Sequence, residues 1–388
     1  SLKVLVRFGA VQYDSFRNLR LGPHRATLLL SQGLAAVQKP NHWMNTTHAD
    51  YLAIKKFDSL DGLRAISILA VIWHHTAPDW VGATLAHAGA QGVSLFFSIS
   101  GFLITTLLLR EKARHSRIDL KAFYVRRSLR IFPLYYGVLL LYVALVTLLE
   151  RDSVTGQAFY NNLIYFTTYT SNLFVPLDGR VIFYFAWSVA AEEQFYLIWP
   201  TVLILVGSLK RAALALIVVL LVCTWGEVQG NEFFSAVPLP IITGALLALL
   251  LHSEKGFNLL QPLLGRRWSS TVIGLGLTLA VLVPGVPNYV KALFFAAWVG
   301  ACTIQVNHSA RAWLVARPMA YIGTISYGMY MLHMLCKNVM VKTLGAIGQA
   351  AGGLEVFVLT VLLSTVVARL SFRYFESWFL ELKTGFTR

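Results

Sequence analysis

Long apolar runs recur along most of this 388-residue chain, and they constrain its fold more than any other feature. A helix needs about 20 predominantly apolar residues to cross a bilayer, so the shorter runs must recruit their flanking residues. Charged residues make up only 13% of the chain, whereas soluble domains carry about a quarter. The sequence therefore predicts an all-α, polytopic membrane helix bundle of about ten transmembrane helices. The runs are Ile66–Trp73, Gly92–Leu109, Ile131–Leu149, Trp187–Val206, Ala212–Trp225, Val237–Leu251, Val272–Val283, Ala292–Ile304, Ile322–Val341 and Leu354–Leu370.

Basic residues are distributed unevenly between the loops that separate these runs. They cluster in alternate loops, whereas the intervening loops hold few of them. Cytoplasmic loops are enriched in Lys and Arg, so we expect cytoplasmic N- and C-termini and an even number of spans. The net charge of +15 is then explained by membrane topology, and we expect no nucleic-acid partner. The segment Asn161–Val175 is too polar for an eleventh span, and we interpret it as a short interfacial or re-entrant helix outside.

The first 43 residues hold six Lys or Arg against one acid, Asp14. This composition overlaps with that of a transit peptide, but no signal-peptide pattern with a cleavage site is evident. We expect Met44 to be the natural start, so that residues 1–56 form an N-terminal extension, largely disordered or artefactual before Met44. Residues 57–383 then form the transmembrane domain, and residues 384–388 form a C-terminal tail.

Arg64, His74 and His75 lie in the first apolar segment, LDGLRAISILAVIWHH. Arg64 is near enough to the cytoplasmic side to reach lipid phosphates, so anchoring and function are equal alternatives. His75 follows eleven residues later, which places it about 16 Å deeper, near the middle of a core of roughly 30 Å. Ionisable groups at that depth mark functional sites. His74 points about 100° away around the helix, so only one of the two histidines can face a given site.

Arg127 and Arg130 are three residues apart in the segment RRSLRIFPLYY, so they share one helical face at the cytoplasmic mouth of the third span. One interpretation is a topology anchor. The other is a clamp for a phosphorylated cofactor that enters from the cytoplasm, because paired guanidiniums bind phosphate bidentately. Pro133 would restrain the start of the span and hold the clamp in place.

Glu192 and Glu193 are adjacent carboxylates in the apolar segment WSVAAEEQFYLIWP. Charged residues inside a span are rarely only structural. If this span enters from outside at Trp187, Glu192 lies about 8 Å below the outer surface and His75 about 14 Å below it. These depths agree to within about 6 Å. A carboxylate is therefore predicted to meet His75 and orient it as a general base.

Three further segments carry weaker signals. Small residues from Gly92 to Phe102 favour close helix packing. His333, in ISYGMYMLH, is another histidine in a span, for which a structural hydrogen bond and a functional role are equal alternatives. The outer segment Tyr160–Phe185 is rich in Tyr and Phe, which favours interfacial anchoring, although a sugar ring could also stack there.

Six segments, in their order along the chain, make it resemble the acyltransferase-3 family of integral membrane O-acyltransferases. The resemblance runs from about Phe57 to Lys383. It implies transfer of an acyl group, usually acetyl, from cytoplasmic acyl-CoA to a hydroxyl of a cell-envelope carbohydrate or glycolipid, in the cell (inner) membrane. The segments are LDGLRAISILAVIWHH, GVSLFFSISGFLIT, RRSLRIFPLYY, WSVAAEEQFYLIWP, ISYGMYMLH and LSFRYFESWFLELK.

The resemblance also implies which residues act. The family's functional set is the Arg and the following His of the first span, the R-x-x-R pair and the Glu of the E-E-Q segment. Many members have a single histidine where this chain has two, and the spacing selects the second. Here the set corresponds to His75 and Glu192, with Glu193 as an alternative carboxylate, for catalysis, and to Arg64, Arg127 and Arg130 for binding acyl-CoA. His75 would deprotonate the acceptor hydroxyl or take the acyl group transiently. No metal is expected, because no residues show ligand spacing.

Two other functions stay open. A proton-coupled transporter or flippase of a glycan or lipid-linked substrate would use the same His and Glu as a proton relay. An inverted repeat would favour that function, and none is evident. The third alternative is a membrane protein that binds lipid or polysaccharide without catalysis. Since the chain ends just after its last predicted span, we expect no appended esterase-like domain; a separate extracytoplasmic transferase partner and a homodimer stay open.

Overall fold

Residues 46–176, 181–348 and 353–382 are described by the computed structural model of the chain. Within these ranges the backbone forms helices joined by turns and contains no strand, which confirms the all-α prediction. The predicted extension before Met44 and the tail 384–388 lie outside the described residues.

The first part of the chain contains two very long helices, α4 (Gln91–His115) and α5 (Leu120–Leu149), preceded by the helix that carries Arg64 and His75. A 3₁₀ turn at Tyr184–Ala186 leads into the helix of the two glutamates, α9. The helices are α1 (His48–Ala53), α2 (Ser59–Thr76), α3 (Ala83–Ala88), α4 (Gln91–His115), α5 (Leu120–Leu149), α6 (Val154–Asn161), α7 (Leu163–Thr167), α8 (Ser171–Phe174) and α9 (Trp187–Val206).

The second part of the chain alternates apolar helices with short connecting ones. A π-helical turn, Phe372–Glu376, follows α19 and continues into the last helix. The helices are α10 (Leu209–Val228), α11 (Glu232–Ser235), α12 (Leu239–His252), α13 (Glu254–Leu264), α14 (Ser269–Leu282), α15 (Asn288–Ile304), α16 (Arg311–Leu314), α17 (Arg317–Thr324), α18 (Ser326–Ala346), α19 (Leu354–Ser371) and α20 (Ser377–Leu382).

Five helical stretches of the described residues are long and apolar enough to cross a bilayer. Three shorter apolar helices, α12, α14 and α15, have 14 to 17 residues each. Every apolar run identified in the sequence is helical over most of its length, although Ile322–Val341 is divided between α17 and α18. The chain is therefore a multi-pass membrane protein. The five stretches are Ala83–His115, Leu120–Leu149, Tyr184–Val206, Leu209–Val228 and Leu354–Leu382.

Helix α4 lies at the centre of the bundle, where it packs against α2, α9, α12 and α15. Its glycines allow this packing. A Cβ atom at Gly92 would clash with the carbonyl oxygen of Ser67 in α2, and one at Gly101 would clash with that of Ile241 in α12. Gly244 of α12 approaches the Ser98 carbonyl in the same way. The prediction that small residues in this segment serve helix packing is confirmed.

The start of α2 is held by contacts with distant parts of the chain. The backbone of Asp61 lies directly against Gly323 of α17, too close to admit a Cβ atom there. The buried side chain of His308 lies between two serine hydroxyls, with Nε2 at 2.9 Å from Ser59 and Nδ1 at 3.0 Å from Ser270. These contacts fix the helix turn from which Arg64 projects.

The aromatic-rich segment after α5 forms three short helices, α6 to α8, instead of one. Phe159 and Phe166 are fully buried in the main hydrophobic core, and Phe183 and Phe185 nearly so. The hydroxyl of Tyr135 in α5 donates to the Phe166 carbonyl at 2.8 Å. For these four rings the prediction of interfacial anchoring is wrong, because the segment folds back onto α5 and buries them.

Candidate active site

Two cavities meet at three arginines. The larger cavity, of about 690 Å³, is lined by side chains of α2, α4 and α5 and of the segments near α17 and α20. The smaller, of about 110 Å³, lies deeper between α2, α4, α5, α9 and α18. Arg64, Arg127 and Arg130 line both cavities. The three residues predicted to bind a cofactor are therefore brought together at the junction between the two cavities.

The wall of the larger cavity is strongly basic. Its acidic residues are fewer, and two of them are paired: Glu111 binds Arg126 at 3.0 Å, and Asp61 binds Arg64 at 2.8 Å. Arg127 and Arg130 form no ion pair among the described residues, so both guanidiniums are available to a ligand anion. Besides the three junction arginines, the basic lining comprises Lys55, Lys56, Arg110, Arg114, His115, Arg117 and Arg126.

Helix α5 positions the arginine pair. Asp119 caps its N-terminus by accepting a hydrogen bond from the Ala122 amide at 2.9 Å, so the helix begins well before Pro133. Pro133 lies inside this continuous helix, and its restraining role at the start of the span stays a prediction. Arg127 stacks over the ring of Tyr196 in α9, with its guanidinium carbon 4.8 Å from the ring centroid. That contact helps to orient Arg127.

Glu192 faces the smaller cavity, and its environment differs from that of Glu193. Its carboxylate accepts hydrogen bonds from the hydroxyls of Ser100 in α4 and Tyr196 one turn further along α9. Glu193 lines neither cavity, and its buried Oε1 has no hydrogen-bond partner among the described residues. The two adjacent carboxylates therefore point in different directions, as neighbours on a helix must.

His75 lies in the last turn of α2, at the other end of this helix from Arg64. Its Nδ1 is 3.3 Å from the hydroxyl of Tyr184, and its ring centroid is 5.2 Å from that of His333 in α18. His75 lines neither cavity and makes no hydrogen bond to Glu192 or Glu193 in the described part of the chain. The predicted contact between histidine and carboxylate is not made in this structure.

A short layer of side chains separates His75 from the smaller cavity. Ser188 and Tyr330 line that cavity, and their hydroxyls are 2.6 Å apart. The Tyr330 hydroxyl also donates to the Phe185 carbonyl at 2.8 Å. The ring of His333 lies behind them, 5.6 Å from Tyr330 and 5.3 Å from Phe185. His75, whose ring lies 5.2 Å from that of His333, is thus not part of the cavity wall.

His74 faces away from this group. Its Nδ1 donates to the Ala86 carbonyl at 3.2 Å, beyond the end of α2. The two histidines therefore have different surroundings, as their positions on neighbouring faces of the helix require.

Glu376 is a buried carboxylate that the sequence analysis missed. It closes the π-helical turn after α19 and accepts a hydrogen bond from Ser371 at 3.0 Å. It interacts electrostatically with Arg130. π-Helical turns occur often at functional sites. The charged residues around it, in LSFRYFESWFLELK, were the available signal, but no spacing rule connects them to α5.

Ser100 and Tyr196 were also missed. Tyr196 is four residues after Glu192, on the same helical face, so that contact could have been found from the sequence. Ser100 could not, because its contact joins two helices. No group of three or more His, Cys, Asp or Glu that could hold a metal occurs among residues 46–176, 181–348 and 353–382.

Comparisons with known proteins identify relatives over most of the chain. The peptidoglycan O-acetyltransferase OatA of Listeria monocytogenes is 27% identical over 362 residues, which cover 83% of this chain and 56% of OatA. The putative peptidoglycan O-acetyltransferase YrhL of Bacillus subtilis is 29% identical over 355 residues, 82% of this chain and 54% of YrhL. The chain thus spans about half the length of these relatives.

No solved structure shows significant similarity to the chain. Among known families, the acyltransferase domain of the acyltransferase-3 type matches residues 57–371, which is most of the chain and includes the three junction arginines, His75, Glu192 and Glu193. The chain therefore belongs to the acyltransferase-3 family.

Proposed function

We propose that the protein is a membrane O-acetyltransferase that moves an acetyl group from acetyl-CoA to a hydroxyl of a cell-envelope carbohydrate. The observation that carries this proposal is the junction of Arg64, Arg127 and Arg130 between a large basic cavity and a small buried one. The names of the two relatives make peptidoglycan the first acceptor to test.

The larger cavity suits the phosphorylated part of acetyl-CoA. Its volume of about 690 Å³ lies within the range of cofactor sites, and its lining offers many guanidiniums with few competing carboxylates. Arg127 and Arg130 would bind phosphate oxygens through paired hydrogen bonds. The pantetheine arm would then pass between the three arginines and bring the thioester to the smaller cavity, beside Glu192.

The reaction needs a base for the acceptor hydroxyl. His75 would remove the hydroxyl proton while the oxygen attacks the thioester carbonyl, and the carbon–sulfur bond then breaks. The thiolate of CoA takes up a proton, so the products are the acetyl ester and CoA thiol. Transient acetylation of His75 would achieve the same transfer in two steps. The hydroxyl of Tyr184, 3.3 Å from Nδ1, would orient the imidazole in either case.

We propose the following arrangement in the cell membrane. The five long apolar stretches, the three shorter apolar helices and the more polar α2 and α18 together make about ten spans. Both termini and the mouth of the larger cavity would face the cytoplasm, where acyl-CoA is present. The enzymatic domain would extend from residue 57 to residue 383, with the bilayer and the carbohydrate acceptor as its partners.

Purified protein in liposomes, given acetyl-CoA labelled in its acetyl group, tests the proposal. We expect release of CoA thiol and appearance of label on peptidoglycan fragments as a base-labile ester. The His75→Ala variant, prepared in the same way, should give neither. If thiol release and labelling are the same with and without protein for every carbohydrate tried, the proposed function is wrong.

A further inference from the structure

His333 is an ionisable neighbour of His75 from another helix, with the two ring centroids 5.2 Å apart, and nothing in the proposed reaction uses it. Its side chain has no solvent-exposed surface. Its Nδ1 lies 2.5 Å from the carbonyl oxygen of Tyr330, which can only accept, so Nδ1 carries the hydrogen. Nε2 of the neutral ring is then a bare acceptor, and it is buried without a hydrogen-bond partner among the described residues. The backbone therefore fixes the tautomer of His333 and leaves one basic nitrogen unused.

An unused buried acceptor is uncommon and costly, at about 1–3 kcal/mol. Such atoms call for an explanation, and a ligand or a transient donor is one of them. The rings of His75 and His333 are 5.2 Å apart at their centroids and tilted by 34°. A small ring rotation or one bridging water would join a nitrogen of His75 to Nε2 of His333.

His75 differs from its histidine neighbours in the partner of its Nδ1. The Nδ1 atoms of His74 and His333 donate to backbone carbonyls. The Nδ1 atom of His75 instead faces the Tyr184 hydroxyl, which can donate or accept. Only His75 among these three can therefore exchange its tautomer without losing a hydrogen bond.

A protonated His75 would have no carboxylate beside it in the described part of the chain. The ionisable groups whose charges act on it are His74, His333 and Lys337, and all three are bases. Tyr184 is neutral. The Nε2 of His333 is thus an acceptor, buried and without a partner among the described residues, next to the imidazolium that proton removal would create.

We propose that His333 is a positioning residue for His75: its Nε2 accepts the hydrogen of the His75 imidazolium and shares that proton until it leaves. This inference rests on the proposed function, in which His75 removes the proton of the acceptor hydroxyl. The hydroxyl O–H bond breaks as one nitrogen of His75 takes the proton, and the hydrogen on the other nitrogen of the imidazolium is shared with Nε2 of His333. A proton of the imidazolium is released to solvent or to the CoA thiolate when the ester has formed, so no other reactant is needed.

Two variants separate this role from a structural one, because each retains only one of the two hydrogen-bonding groups of the imidazole, the donor at Nδ1 or the acceptor at Nε2. His333→Asn retains a donor near the position of Nδ1 and loses the acceptor at Nε2. His333→Gln places an acceptor near Nε2 and loses the donor to Tyr330. We expect kcat for acetyl transfer to fall about 100-fold in His333→Asn, with KM for acetyl-CoA unchanged, and less than about tenfold in His333→Gln. His252→Asn, at the end of α12, is the matched control and should leave kcat unchanged.

The opposite order, with Asn more active than Gln, would show that the Tyr330 hydrogen bond is what matters and would overturn the inference. Equal activity of both variants with wild type would also overturn it. Wild-type protein that transfers no acetyl group refutes the proposed function instead. A readout without turnover then decides the inference: the ¹⁵N resonances of the His75 ring should change in His333→Asn and stay near wild type in His333→Gln. Unchanged resonances in both variants would overturn it.

Discussion

Helix α2 carries polar groups at both ends, and the two regions around them differ in cavity size, packing and charge. The arginine region, consisting of Arg64, Arg127 and Arg130, borders a large cavity with many charges. The histidine region, consisting of His75, Tyr184 and His333, is densely packed, with neutral or basic groups and no carboxylate in contact among the described residues. An anionic ligand of some size fits the first region, whereas the second suits the movement of single protons. In the proposed function, one helix would therefore connect cofactor binding to proton transfer.

The comparison is tested most strongly by replacing the base. His75→Ala should lower acetyl transfer by about 1,000-fold or more, because general acid–base catalysis contributes up to about 10⁴-fold. His74→Ala should retain substantial activity, since its ring turns to the Ala86 carbonyl and away from Tyr184. Both variants should insert and melt like wild type. Equal losses of activity at equal expression would show that the wrong face of α2 was chosen.

The next largest effect is expected at the carboxylates of α9. Glu192→Gln should lower kcat by about 100-fold, because this side chain lines the smaller cavity and accepts hydrogen bonds from Ser100 and Tyr196. Glu193→Gln should cost less than about tenfold, since Glu193 lines neither cavity. Steady-state kinetics with saturating acetyl-CoA distinguishes the two. A larger loss from Glu193→Gln would place the reacting groups on its side of α9.

Changes in the arginine region should mainly weaken cofactor binding. Charge-assisted hydrogen bonds contribute about 1.5–3 kcal/mol, so Arg127→Ala or Arg130→Ala should reduce acetyl-CoA affinity roughly 10- to 150-fold. Arg→Lys at either position should restore part of the affinity, since the charge survives and the planar fork does not. Calorimetry on purified protein measures this, with the exposed Arg266→Ala as control. Unchanged affinity in both alanine variants would leave the pair as topology anchors.

The sequence predicts the two regions unequally, and the reason is physical. Arg127 and Arg130 lie three residues apart on one helix, so their spacing alone predicts that they share a face. Arg64 lies at the polar start of α2, which the sequence also identifies. The partner of His75 is set by how α2, α18 and the turn before α9 pack together. Depth along a helix predicts that Glu192 and His75 are at similar levels, but it says nothing of the rotation of either helix.

The fold shows the same limit. Apolar runs identify the helices because burial in lipid requires them, and each run is helical over most of its length. The aromatic segment after α5 is misjudged because composition does not distinguish rings that face lipid headgroups from rings such as Phe159 and Phe166, which face the core. Contacts such as Ser59–His308–Ser270 join residues more than 35 positions apart and leave no local pattern.

The smallest effect on transfer is expected at His308, which supports the arginine region from outside the spans. Burial, followed by the nearby charge of Arg311, lowers the pKa of His308 to about 4. The unfolded chain, with a histidine pKa near 6.5, therefore binds more protons between about pH 4 and 6.5. The stabilising contribution is complete above about pH 6.5 and is lost progressively as the pH falls toward 4, by up to about 3 kcal/mol.

His308→Gln tests this prediction, since the amide keeps hydrogen bonding to Ser59 or Ser270 and cannot titrate. We expect its rate of acetyl transfer at pH 7.5 to be within about threefold of wild type, because His308 touches neither cavity. Its melting temperature in detergent should fall less than that of wild type between pH 7 and pH 5. His87→Gln, which removes an exposed histidine, should keep the wild-type pH dependence. If His308→Gln loses stability with pH as steeply as wild type, the acid sensitivity resides elsewhere. The contribution of the His308 contacts to the stability of the first turn of α2 would then be independent of the charge on His308.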